Sequence, residues 1–215
     1  MLVPLVFAAA TQGAAAAVPV GDTVTPAAEL PADHQYRGGI VIGLSAGAGL
    51  GSASGYPNNS QQIGNPDYYS ASGFMLGGYG QLWVLGAFSD YVSFGLWYGH
   101  ANLRNNDWRS SGDGGGFRLE LYPLVGLVPA LQGLGILANA GIGSGKLTST
   151  NPALPEANGT QSFLGAGIFH DWGFGYGRAG HFAFGPSLEY DAIWSQPFEQ
   201  HGLVGSIRIA YYGGP

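Results

Sequence analysis

The sequence predicts an all-β chain, an eight-stranded antiparallel up-and-down transmembrane β-barrel. Three observations predict it. Only 9% of the 215 residues are charged, against about 25% in soluble domains. The body of the chain has no apolar run of about 18 residues, so no ordinary membrane helix is available. Apolar residues instead recur at every second position over eight stretches, as in strands with one greasy face. The alternative for so glycine-rich a chain is disorder, but aromatic residues make up 13% of it and argue against that.

Met1 to Ala17 (MLVPLVFAAATQGAAAA) is apolar and small, with Ala15 and Ala17 in an A-x-A pattern. It reads as a secretory signal peptide, although its n-region carries no Lys or Arg. Residues 18–35 contain Pro19, Pro26 and Pro31 and no periodicity, and read as a flexible periplasmic lead-in. The barrel is expected over 36–212, with a C-terminal tail at 213–215.

The first strand alternates Tyr36, Ile40, Ile42, Leu44, Ala46, Ala48 and Leu50 with Arg37, Val41, Ser45 and glycines. Small inward residues suit a narrow barrel. A long polar stretch, 51–72, follows. The second strand, 73–85, sends Phe74, Leu76, Leu82 and Val84 out and Met75, Tyr79, Gln81 and Trp83 in. The third sends Val92, Phe94, Leu96 and Tyr98 out and Ser93, Gly95 and Trp97 in. A second polar loop is expected over 101–114 (ANLRNNDWRSSGDG). The fourth strand, 115–123, sets Phe117, Leu119 and Leu121 against Arg118, Glu120 and Tyr122. The fifth, 133–146, sets Leu134, Ile136, Ala138, Ala140 and Ile142 against Leu137, Asn139 and glycines. Residues 147–160 read as a polar loop. The sixth, 161–172, opposes Leu164, Ala166 and Ile168 to Phe163, Phe169 and glycines. The seventh, 182–194, sends Phe182, Phe184, Leu188, Tyr190 and Trp194 out and Ser187, Glu189 and Asp191 in. Pro186 there lacks a ladder donor and marks an irregularity. The eighth, 203–212, sets Leu203, Ile207, Ile209 and Tyr211 against Val204, Ser206, Arg208 and Tyr212.

Eight such strands, each of about 10–14 residues, are long enough to span a bilayer when tilted. The linkers after strands one, three and five read as long and polar, and those after two, four and six as shorter and more apolar. This is the asymmetry between outer loops and periplasmic turns. Outward aromatics are expected at the two interfaces, with Tyr36, Phe182 and Tyr211 at one and Tyr98 and Trp194 at the other.

On these strands, residues 36–212 resemble the small eight-stranded outer-membrane barrels of the outer membrane protein A and X type, with the W-type and opacity proteins as relatives. The resemblance implies a bacterial outer-membrane location, contact with lipid and lipopolysaccharide, and insertion by the barrel-assembly machinery. It also implies a monomer. Family members commonly end on an aromatic residue that belongs to the assembly signal; here Tyr211 and Tyr212 are followed by Gly213, Gly214 and Pro215.

The phase of the alternation puts Arg37, Arg118, Arg208, Glu120, Glu189 and Asp191 inside. An Arg or Lys facing lipid at midplane costs about 2–4 kcal/mol, and buried charges need partners. An interior charge network of these six residues is therefore expected. With a turn near 196–201, the last hairpin places Glu189 opposite Arg208. A two-residue slip brings Asp191 there instead, so Arg208 is expected to pair with one of these acids.

Motifs that could carry chemistry are weak. Gly43-Leu-Ser45-Ala-Gly47 matches G-x-S-x-G but sits in a strand with no helix after it. Gly175 to Gly180 matches G-x-G-x-x-G but lacks the helix a phosphate cradle needs, and reads as a turn. Glu189 and Asp191 could suit acid/base work or a cation, and equally a salt-bridged core. His100, His170 and His201 lack metal-ligand spacing, and Asp107 and Asp113 fit no defined loop signature. No cofactor, metal site or catalytic set is expected. The net charge of −6 speaks against nucleic acid, and the absence of cysteine removes disulfides and thiolate metal sites. The expected function is a non-enzymatic barrel with a side-chain-filled interior, serving envelope structure or surface binding through outer loops. The alternatives are an enzyme that acylates or deacylates lipopolysaccharide, for which no H-x-S pair is found, and a conduit or binder for small hydrophobic molecules. A soluble lipocalin-like barrel would need a charged exterior.

Overall fold

A computed structural model describes residues 37–177 and 180–213. The expected signal peptide, the lead-in, Tyr36, Arg178, Ala179 and the last two residues of the tail lie outside them. The strands are β1 (Gly39–Gly55), β2 (Ser70–Ala71), β3 (Met75–Ser89), β4 (Val92–Arg104), β5 (Trp108–Leu121), β6 (Leu134–Ser149), β7 (Ala157–His170), β8 (Trp172–Gly177), β9 (Gly180–Trp194) and β10 (Phe198–Gly213). Single turns of 3₁₀-helix lie at Pro66–Tyr68 and Pro129–Leu131.

Each long strand pairs antiparallel with its neighbour in the order β1-β3-β4-β5-β6-β7-β9-β10, and β10 closes back on β1. The result is the closed eight-strand barrel expected from the alternation. The short β8 prolongs β7 along β9 in one register: Phe169 faces Ser187 and Trp172 faces Phe184. The short β2 pairs with the far end of β1.

Burial alternates along every wall. On β9, Phe182, Phe184, Leu188, Tyr190 and Trp194 are exposed while Ala183, Ser187, Glu189 and Asp191 are buried. On β3, Leu76, Leu82 and Val84 are exposed while Met75, Tyr79, Gln81 and Trp83 are buried. The exposed set forms an apolar girdle: Ile42, Leu44, Leu96, Phe117, Ile136, Leu164, Leu188 and Ile207 are all 44% or more exposed. A surface this apolar and continuous is stable against hydrocarbon rather than water. Phe182 and Tyr211 pack in a tilted pair near one rim of the girdle, with ring centroids 5.0 Å apart.

The strands run further than the apolar pattern indicates. The second polar loop expected over 101–114 is almost wholly strand: His100 pairs with Asp113, Asn102 with Ser111 and Arg104 with Arg109. The reversal is confined to residues 105–107, where Asn105 Oδ1 accepts from the backbone N–H of Asp107 and Trp108. The polar stretch at 147–160 likewise shrinks to 150–156, and the last link to 195–197. The linker asymmetry expected from the sequence therefore survives in only one long loop, 56–74. The apolar face stops where the lipid stops, whereas the hydrogen-bonded ladder continues into water on Ser, Asn, Thr and charged side chains.

The shorter last turn also changes a register. Glu189 faces Val204, and Arg208 faces Gly185 rather than Glu189.

Candidate functional site

The candidate site is the barrel interior. It divides into a polar, ionic layer near the end where β1 begins and β10 ends, and an apolar layer near the opposite mouth. Ala53, Met75, Leu103, Trp108, Leu147, Ala157 and Phe198 form the apolar layer.

The ionic layer centres on Glu120, fully buried on β5. Arg208 of β10 donates to it through Nη1 (3.0 Å) and Nη2 (3.1 Å). Arg118 donates through Nε at 2.8 Å, and the Tyr122 hydroxyl donates at 3.0 Å. Arg208 Nε also lies 3.0 Å from Asp171 Oδ1, off the hydrogen-bond direction. The Tyr212 hydroxyl donates to Asp171 Oδ2 at 2.5 Å and lies 2.6 Å from the Tyr122 hydroxyl. Aromatic faces complete the cage. The Arg208 guanidinium lies 3.7 Å from the Phe169 ring and 4.8 Å from that of Trp83, and Arg118 covers Trp83 at 4.4 Å. Stacking on rings gives guanidinium groups a partner where hydrogen-bond acceptors are few.

A second carboxylate, Glu189, lies one step further along the lumen. Gln81 Nε2 donates to it at 2.6 Å, Ser187 at 3.3 Å and Asn139 at 3.5 Å. Arg118 Nη1 stands 3.8 Å away and donates to Gln81 Oε1 at 3.0 Å. Charged groups thus sit in a web of hydrogen bonds, as buried ions require.

The remaining sequence-derived positions separate from this web. Arg37 closes the end where β1 begins: its Nη2 donates to the Gln132 carbonyl at 3.0 Å, and its guanidinium lies 3.9 Å over the Tyr122 ring. Asp191 is buried, forms no ion pair among the described residues, and lines a cavity of about 30 Å³ together with Tyr79. The expected pairing of Arg208 with Glu189 or Asp191 does not occur. The tighter last turn moves Arg208 away from both, and Glu120 and Asp171 take it instead. Asp171 is the member that sequence reasoning missed. The alternation of the sixth expected strand, with Phe163 and Phe169 inward, puts 171 inward as well.

The weaker motifs gain no chemistry. Ser45 is buried in β1 opposite Arg208 and Gln81. His100 bonds Asp113, and His201 bonds Glu199 and Tyr190; neither meets a serine. Among the described residues no three His, Asp or Glu side chains converge as metal ligands.

No protein-family model and no curated protein matches the sequence. Solved structures do resemble the fold. Ail, the attachment invasion locus protein of Yersinia pestis, is similar over 80% of this chain and 99% of its own, at 10% identity and a TM-score of 0.50. Neisserial surface protein A covers 80% of this chain and 96% of its own, at 10% identity and a TM-score of 0.43. For the N-terminal β-barrel domain of Pseudomonas aeruginosa OprF the coverages are 78% and 96%, with 13% identity and a TM-score of 0.38. With its outward apolar girdle and closed ring of eight strands, the chain has the fold of a small eight-stranded barrel, as Ail does.

Proposed function

We propose that the protein is a non-enzymatic, monomeric outer-membrane barrel with a closed lumen, serving the envelope as a rigid lipid-embedded body that presents its 56–74 loop outward. The observation that carries this is the filling of the lumen. Trp83, Arg118, Arg208, Tyr122, Tyr212, Phe169 and Glu120 are all less than 2% exposed. An eight-stranded barrel has an interior just wide enough for side chains to fill, and here they fill it with bonded pairs that do not slide apart freely. Planar bilayers holding the purified protein should show no steady conductance on the nanosiemens scale. Stable steps of that size would overturn the reading.

A second reading has one observation in its favour. The β7–β9 ladder is interrupted where His170 and Asp171 oppose Gly185 and Pro186, between the Phe169–Ser187 and Trp172–Phe184 pairs. Proline supplies no donor there. An apolar groove of about 200 Å³, lined by Leu134, Ile168, Phe169, Pro186 and Leu188, opens at this point. It suits a small hydrophobic molecule entering from the lipid side, but Phe169 and Arg208 block its way to the lumen. Vesicles carrying a conduit would accumulate a small hydrophobic fluorophore faster than protein-free vesicles, and Leu188→Trp would remove the difference.

A further inference from the structure

We propose that Asn158 is an acceptor site for asparagine-linked glycosylation, taking an oligosaccharide from a polyprenyl-diphosphate carrier before the barrel folds. The proposal rests on the reading above of an outer-membrane barrel with the 56–74 loop on the outside.

The first observation is a five-residue stretch where β7 begins, Glu156-Ala157-Asn158-Gly159-Thr160. It contains the acceptor pattern N-x-[ST], with no proline at the middle position. It also carries an acid two residues before the asparagine. Bacterial oligosaccharyltransferases that read an extended site require that acid, which an arginine can hold as a charge-assisted pair. The shorter pattern occurs a second time, at Asn58-Asn59-Ser60, but there Tyr56 stands in place of the acid. With only 13 Asp and Glu in 215 residues, the full pattern arises by chance in roughly one chain in twenty of this composition.

The second observation is how the strand presents these residues. Glu156, Asn158 and Thr160 fall two apart, so the alternation turns all three outward, while Ala157 and Gly159 are buried. Gly159 has a structural reason to be small: a Cβ there would stand 3.0 Å from Ser195 Oγ and 3.2 Å from Pro197. The polar groups of Asn158 and Thr160 have no such reason, since neither side chain bonds to a described residue. A bulky hydrated group on the Asn158 amide would meet no wall at this outward position. Beside it runs a groove of about 310 Å³, bordered by Asn58, Ser111, Ser144, Lys146 and Thr160. Hydroxyls and amides of this kind suit the hydroxyls of a first sugar.

The third observation sets the order of events. In the folded barrel Asn158 faces Lys146 in the β6–β7 ladder, and its backbone N–H donates to the Tyr56 carbonyl at 3.2 Å. A transferase must take the acceptor stretch into its own cleft, and a paired strand cannot leave the sheet to enter one. The transfer therefore belongs to the unfolded chain in the periplasm. There Asn158 Nδ2 attacks the anomeric carbon of the carrier-linked sugar. The bond from that carbon to Nδ2 forms, and its bond to the diphosphate oxygen breaks. The amide gives up one proton to a transferase carboxylate, and polyprenyl diphosphate leaves. Folding then sets the glycan on the outer surface beside the β6–β7 turn.

The test expresses the full chain in a Gram-negative host that carries such a transferase and its lipid-linked oligosaccharide, and in which a control acceptor protein is modified. The readout is the intact mass of protein extracted from the outer membrane, with the heat-modifiable gel band as the check on folding. Wild type should gain the mass of one oligosaccharide. Asn158→Gln should lose that mass and Asn58→Gln should keep it. Glu156→Gln should lower occupancy about tenfold, because the charge-assisted contact is gone, whereas Glu156→Asp should retain it. Lys146→Gln breaks the 2.7 Å bridge to Glu156 and should leave occupancy unchanged, which separates recognition of the acid from its pairing in the fold. Folded protein made without the transferase should take no sugar when the enzyme and donor are added in detergent. A folded outer-membrane protein with no added mass overturns the proposal, as does added mass that persists in Asn158→Gln. Sugar taken up by the folded protein overturns the order of events. A wild type absent from the outer-membrane fraction overturns the reading on which the proposal rests.

Discussion

Arg208 and Glu120 face each other from opposite walls of the barrel, 88 residues apart in sequence and joined by two hydrogen bonds of 3.0 and 3.1 Å. In the ring of strands β5 and β10 stand four places apart, half-way round. The same two walls are joined again by Tyr122 and Tyr212 below and by Ser110 and Gln200 above, at 2.6 and 3.0 Å. These struts fix the diameter from within, where the ladder hydrogen bonds fix it only around the rim. Removing one partner of a buried pair leaves the other uncompensated. Glu120→Ala should therefore cost about 3–5 kcal/mol, measured by urea unfolding from vesicles. The double substitution Glu120→Met with Arg208→Met should recover most of that, since apolar side chains of similar volume replace the pair. A double variant as unstable as the single one would show that the strut itself is not the source of the loss.

Much of this barrel was legible from period-two alternation alone. A lipid face admits almost nothing but apolar residues, so a residue such as Arg118 between Phe117 and Leu119 could point only inward. The partner of each charge was not legible. Pairing across the lumen depends on which strands stand opposite and on turn lengths. The last turn was read a few residues too long, which moved Glu189 into the place of Gly185. Strand ends were also obscured. Beyond Tyr98 the outward residues are His100, Asn102 and Arg104, and the last two read as loop although the backbone pairs on. Asp171 carried a usable signal, since it continues the inward phase of Phe163 and Phe169.

Asp191 should behave in the opposite way to Glu120. It is 7% exposed, has no arginine within ion-pair distance among the described residues, and borders a cavity of about 30 Å³, room for about one water. A buried carboxylate without a counter-ion opposes folding, and Asn keeps its shape without the charge. Asp191→Asn should leave the urea midpoint at pH 8 unchanged or raise it, while Glu189→Gln, beside Arg118, should lower it. A loss for Asp191→Asn as large as that for Glu189→Gln would point to a bound cation at this carboxylate.

Gly43 is required by Trp83. The two are directly opposite on β1 and β3, and a Cβ at Gly43 would run into the indole ring. The Arg118 and Arg208 guanidinium groups both lie against that ring, so it cannot shift without disturbing them. Gly43→Ala should cost about 1–3 kcal/mol, as overpacking does. It should also change the near-UV circular dichroism of the folded barrel. An alanine variant with wild-type stability and spectrum would mean that the lumen is looser than its packing indicates.

Asn105 ties the 56–74 loop to the wall. Its Oδ1 holds the β4–β5 turn through Asp107 N–H at 3.0 Å and Trp108 N–H at 2.8 Å. Its Nδ2 donates to the carbonyls of Ser72 at 2.8 Å and Phe74 at 3.1 Å. One side chain therefore fixes both the reversal and the exit of the 56–74 loop. Asn105→Ala removes all four bonds, for a loss of about 1–3 kcal/mol if the freed groups reach water only in part. The barrel below should persist, because its ladder and struts do not involve this residue. Protease added outside intact cells should then cut within 56–74 faster in the variant than in wild type, with the compact gel band retained after cleavage. Cleavage only after the cells are broken open would place this end of the barrel in the periplasm and reverse the orientation.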